Sequence, residues 1–187
     1  MDSVDVRRIT RTAILIALTI AFQSLGLQQM ITGPVVNMFL YMAVMTVGIW
    51  GGVITGLITP VAALWMGILK PAMAPMVPAI ALSNAALAAV FGVISGIGGR
   101  TETGGRGLDA RAFRVAGVLI ASFAKFLILS GTVKYLVKVP GPLAKMMQGT
   151  QLVTALIGGA LALVFAEILS RAGTMRGPDG DADRKRR

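Results

Sequence analysis

A chain of 187 residues with 55% hydrophobic and only 14% charged side chains falls well short of the roughly 25% charge of a soluble domain, and its mean hydropathy of +0.77 with long apolar runs marks membrane helices. The formal net charge of +10 does not point to nucleic acid, because the basic residues sit at segment ends and only two Tyr and two Trp are present for base stacking; it fits orientation in a bilayer and contact with anionic headgroups. With no Cys and no His, disulfides, thiol chemistry, His-ligated haem and imidazole acid–base catalysis are excluded.

Six apolar segments are predicted, forming one all-α membrane domain over residues 9–170 between a short N-terminus (1–8) and a tail (171–187) expected to be disordered. The first segment runs from about Ile9 to Met30 behind a basic cap of Arg7, Arg8 and Arg11. It is too long for the apolar core of a signal peptide and no A-x-A site closes it, so it is read as a span. Ala13, Ala17 and Ala21 recur every fourth residue and form a small-residue strip on one helix face. Such strips let another helix come close in a bilayer, where packing has to supply the attraction. The second segment is expected to begin after Gly33-Pro34 and end at Trp50, with Gly51-Gly52 turning the chain into a third from Val53 to Leu69. Both are shorter than the ~20 residues of a straight span, and Pro60 should kink the third.

A Pro-rich loop from Lys70 to Pro78 precedes the fourth segment, Pro78 to Ile97. A Gly- and Arg-rich loop from Gly98 to Ala112 leads to the fifth, Phe113 to Val137. A linker at Val139-Pro140-Gly141-Pro142 leads to the sixth, Met147 to Leu169. With six spans the termini share one side, which holds 13 of the 18 Lys and Arg residues; the other holds Lys70, Lys134, Lys138 and Lys145, and Lys125 lies within a span. The positive-inside rule then places both termini in the cytoplasm.

Polar residues inside spans carry the functional signal, since each costs free energy unless satisfied. Gln23, Asn37, Asn84, Lys125, Gln151 and Thr154 all fall toward the side opposite the termini; Gln23 lies about 18 Å beyond Arg11 and Lys125 about 16 Å beyond Arg114 at ~1.5 Å per residue. This clustering predicts an outward-facing pocket for a small polar or amphipathic molecule. Lys125 suits a ligand carboxylate; the competing readings are snorkelling for Lys125 and interhelical hydrogen bonding for the amides. Trp65 is read as an interfacial aromatic, with a place in the pocket wall as the alternative. Gly48/Gly52/Gly56 and Gly92/Gly96 match small-xxx-small spacing, which arises readily by chance among 23 glycines. Glu167, the one acid within a predicted span, is expected to pair with Arg171 at i+4.

Other functions lose ground by absence. No G-x-x-x-x-G-K-[ST] motif occurs, so the chain has no P-loop for ATP hydrolysis. No acid or His relay serves a proton-coupled carrier, and no nucleophile or metal constellation serves an intramembrane enzyme. A stand-alone secondary carrier and a non-transporting scaffold protein are the alternatives to a subunit of a larger importer.

Gln23, Gly33-Pro34-Val35-Val36-Asn37, the prolines from Pro71 to Pro78, Asn84, Lys125 and Gln151-Leu152-Val153-Thr154-Ala155 together resemble the substrate-binding S component of energy-coupling factor (ECF) vitamin transporters, over roughly residues 7–170. The resemblance implies an alanine motif on the first helix, matched by Ala13, Ala17 and Ala21, that contacts a membrane T component. It also implies two cytoplasmic ABC ATPases, a bacterial plasma-membrane location, and a substrate near the outer face among helices four to six, carried inward as the S component topples. Metal-carrying relatives rely on an N-terminal His, so no metal or other cofactor is expected here.

Overall fold

The computed structural model describes residues 3–100 and 108–171. Helices α1 (Ser3–Ser24), α2 (Gln29–Val47), α3 (Ile49–Trp65), α4 (Val77–Arg100), α5 (Leu108–Gly131), the short α6 (Gly141–Met147) and α7 (Gly149–Arg171) account for most of it, and no strand occurs among the described residues. A 3₁₀ turn over Pro71–Met76 leads into α4, and a π turn over Thr132–Leu136 closes α5. Four segments, 29–47, 71–96, 110–136 and 141–171, are long and apolar enough to cross a membrane. α3 is apolar but has 17 residues, and α1 carries Arg7, Arg8 and Arg11 in its first half. Large apolar side chains stand exposed on all six long helices, among them Ile14, Met30, Ile58, Leu82, Phe123 and Phe165. A belt of that extent suits lipid rather than water.

The connections differ from the expected ones in instructive ways. The chain turns between α2 and α3 at Gly48, whose φ of 105° only glycine adopts readily, and not at Gly51-Gly52. Those two glycines lie inside α3, where a side chain would collide with Val47 and Val44. Gly33-Pro34 likewise does not precede the second helix but lies within it; the break falls earlier, at 25–28. The linker expected at 139–142 partly coils into α6. The Gly- and Arg-rich loop narrows, since α4 continues to Arg100 and α5 starts at Leu108; residues 101–107 and the tail at 172–187 lie outside the described residues.

α2 is the central helix and packs against α1, α3, α4 and α7. Around it Leu40, Tyr41, Leu87, Phe91, Ala121 and Ala155 form the main core. Tyr41 meets Phe91 edge-on, with centroids 4.8 Å apart, and its hydroxyl lies 3.0 Å from Ser122 Oγ on α5. Bulky partners are few because the helices cross at small residues. A Cβ added at Gly158 of α7 would lie 2.5 Å from Pro34 O and 2.6 Å from Asn37 Cβ, and one at Gly56 of α3 would lie 2.9 Å from the Asn84 carbonyl carbon. The two backbones therefore touch at each crossing, as membrane helices require where packing is the main attraction. Met73, Met76, Leu129 and Met147 form a second apolar cluster at the end of the bundle away from Ser3 and Arg171.

Gly158→Ala is expected to destabilise the protein by about 1–3 kcal/mol through overpacking, because backbone atoms of α2 cannot yield. Gly96→Ala, which meets nothing within 4 Å, should be nearly neutral. Thermal unfolding of the two variants in detergent micelles checks the contrast.

Candidate functional site

α5 carries Lys125 into the middle of the bundle, where it is 3% exposed. Its Nζ donates to Asn37 Oδ1 on α2 and to Asn84 Oδ1 on α4, both at 2.7 Å. The two amides are fixed in orientation by this contact, because an ammonium can only donate and each asparagine must turn its oxygen inward. Asn37 then spends its Nδ2 on Gly33 O, one turn back at 2.9 Å. Asn84 Nδ2 finds no acceptor among the described residues. Each asparagine is backed by a glycine of a neighbouring helix, Asn37 by Gly158 and Asn84 by Gly56. The close crossings of the fold therefore set the position of the polar cluster.

This cluster lies at the wall of a cavity of about 660 Å³, within the range of small-molecule sites. The cavity lining runs from this cluster to the end of the bundle that holds the second apolar cluster. The lining takes in Gln23, Asn37, Asn84, Lys125 and Gln151, five of the seven expected ligand contacts, from α1, α2, α4, α5 and α7. Gln151 is 5% exposed, and its side-chain amide has no hydrogen bond to other described residues. Gln23 Oε1 is buried and has no partner among the described residues. Apolar wall is supplied by Pro60, Ile80, Leu143, Met73, Met146 and Met147, and the exposed residues Gln28, Lys70, Ala72, Pro140 and Pro142 stand at the rim. Among the described residues no Asp or Glu is in the lining and no cluster of potential metal ligands occurs.

Two expected contacts fall elsewhere. Trp65 is 94% exposed and outside the cavity, as an interfacial aromatic would be; it ends α3 on the outer surface and is not a wall residue. Thr154 is buried on α7 but packs against Gly33, where an added Cβ would meet it at 2.9 Å, and its hydroxyl donates to Gln151 O at 3.1 Å. It therefore supports α2 where Gly33 receives Asn37, one layer behind the wall. Sequence reasoning missed Gln28, Gln29, Thr32 and Lys70 as lining residues. The first three follow from the chain break at 25–28, which lay within the expected first span, and Lys70 was assigned only to a loop.

Ala13, Ala17 and Ala21 are all exposed on α1. The opposite face of the same helix buries Thr12 and Thr19, whose hydroxyls donate to their own backbone at Arg8 O and Leu15 O. At the far end of the bundle Glu167 accepts from Arg111 at 3.0 Å and from Arg171 at 3.1 Å, so the expected i+4 pair is present and has a second arginine. Comparison of the chain with protein-family models, with curated proteins and with solved structures finds no match.

The polar cluster should behave as one unit. Asn84→Ala strands part of a buried ammonium and is expected to cost about 1–3 kcal/mol. In a Lys125→Met background the same change should cost about 1 kcal/mol less, since no charge is then left to satisfy. A double-mutant cycle of thermal or denaturant unfolding in detergent measures the coupling; additive losses would mean that the two residues do not share a network.

Proposed function

We propose that this chain is the substrate-binding S component of an ECF-type importer, a six-span protein of the bacterial plasma membrane with both termini cytoplasmic. In this reading it captures a vitamin-like small molecule at the outer face and works with a membrane T component and two cytoplasmic ABC ATPases. The observation that carries the reading is the cavity of about 660 Å³, walled by Lys125, Asn37, Asn84 and Gln151 and located at the end of the bundle opposite the basic residues Arg7, Arg8, Arg111, Arg114 and Arg171. A protein that holds a ligand in mid-membrane and has no P-loop needs an external motor to release it inward. The six-span count takes α1 and α3 as spans beside the four longer apolar segments; tilt is not needed for α3, whose flanking turn at 66–70 and exposed Trp65 suit the interface.

The exposed alanines Ala13, Ala17 and Ala21 supply the docking surface for the T component. Their methyl groups leave room for a second backbone to approach, whereas the threonine face of α1 is already taken up inside the bundle. A self-sufficient secondary carrier fits less well, because the cavity lining holds no carboxylate to couple proton or cation movement to transport.

Ala17→Trp should abolish co-purification with a co-expressed T component and leave the small molecule bound; wild-type yield of the T component would remove the docking role. Mass spectrometry of compounds released from the protein purified alone in mild detergent should find one species near equimolar amount, strongly depleted in Lys125→Ala. Equal retention in that variant would move the ligand away from α5.

A further inference from the structure

Beside the amides of Gln23 and Gln151, the cavity wall carries two free donors, on Lys125 and on Asn84. Lys125 gives two of its three N–H groups to asparagine oxygens, which leaves the third. Asn84 is 2% exposed and lines the cavity; its oxygen is held by Nζ, so its Nδ2 must face away from the ammonium and has no acceptor among the described residues. Nδ2 and the oxygen that holds Nζ share one amide carbon, so the two donors belong to neighbouring groups of the same cavity wall. Lys125 has only neutral oxygens as partners, and no acid lines the cavity. A buried cation held by dipoles alone lacks its counter-charge.

We propose that the ligand is an organic acid whose carboxylate is the deep end, one oxygen accepting from Lys125 Nζ and the other from Asn84 Nδ2, with an apolar body against Met73, Met146, Met147 and Leu143. Asn37 is a positioning residue: both halves of its amide are used within the protein, on Lys125 and on Gly33, and it aims the ammonium without touching the ligand. A carboxylate fits better than a phosphate. It carries one charge for one deep cation and two coplanar acceptors for two donors, and the second cation of the lining, Lys70, is exposed at the rim. This inference rests on the binding-subunit reading and specifies the chemistry of its site.

The test uses matched probes on one skeleton: phenylbutyrate, phenylbutyramide and phenylbutylamine, with naphthylacetate and naphthylacetamide as a second pair. Each is titrated against the purified protein in detergent, and the rise in melting temperature by circular dichroism gives an apparent Kd. The acid is expected to bind about tenfold or more tightly than its amide, the gain of a charge-assisted hydrogen bond in a buried site, and the amine should not bind. Lys125→Met should erase the preference. Asn84→Asp supplies an internal carboxylate to Lys125; it should fold stably and also erase the preference, whereas Lys70→Ala should keep it. An acid that binds no better than its amide in the wild type, which includes the case where neither binds, overturns the proposal, as does a preference that survives Asn84→Asp. Preference for the amide or the amine would leave the importer reading standing with a different cargo, and that reading falls separately, through failure to capture the T component.

Discussion

A positive charge has to be held in the middle of an apolar helix bundle, and most of the local structure around the cavity follows from that demand. Lys125 is buried within the bundle and has no carboxylate beside it among the described residues. Isolated, such a group would be among the most costly in the molecule. Two amide oxygens from two other helices lower that cost, at 2.7 Å each, in the short range of charge-assisted hydrogen bonds. The three helices α2, α4 and α5 thereby become one polar unit, and their relative heights are set to within the tolerance of a hydrogen bond. The geometry leaves the charge solvated but not neutralised, a state suited to a site that binds and releases an anion.

The glycines explain how two short side chains from separate helices can reach one ammonium. Asparagine extends only two carbons from its backbone, so α2 and α4 must stand close to Lys125 and must be pressed there from behind. Gly158 on α7 and Gly56 on α3 let those helices lie directly on the backbones that bear Asn37 and Asn84. Thr154, on Gly33, sets the carbonyl that holds the other half of Asn37. A side chain at either glycine would therefore act on the site as well as on stability, because the backbone that moves is the one that carries the asparagine.

The order of helices, the polarity of their ends and five of the seven expected cavity residues were legible because burial of a polar group in an apolar run is conspicuous, and helical rise converts its position into depth. Gln23, Asn37, Asn84, Lys125 and Gln151 converge for that reason. What sequence could not resolve was which glycines turn the chain and which pack it. Gly48 and Gly51-Gly52 look alike in one dimension; only the first takes a positive φ, while the others face Val47 and Val44. Gly92 belongs to a close crossing, whereas Gly96, four residues on, meets nothing. Thr154 stands off the lining for a related reason: it is one turn along α7 from Gln151, but its side chain lies against Gly33. Trp65 reads from sequence first as an interfacial aromatic, and its 94% exposure agrees with that reading over the pocket-wall alternative.

α1 carries both the alanine strip and Gln23 of the cavity lining. Its threonine face joins the bundle, its alanine face is exposed, and Gln23, two residues after Ala21, reaches the cavity with a buried oxygen that has no partner among the described residues. The hydroxyls of Thr12 and Thr19 bond to their own backbone, and Arg11 Nη1 reaches Thr46 O of α2 at 3.5 Å. In the proposed importer, a partner docked on the alanines would press on the same helix that carries Gln23. In the proposed importer the surface that meets the T component and the cavity that holds the acid would be coupled through one helix, without any further element between them.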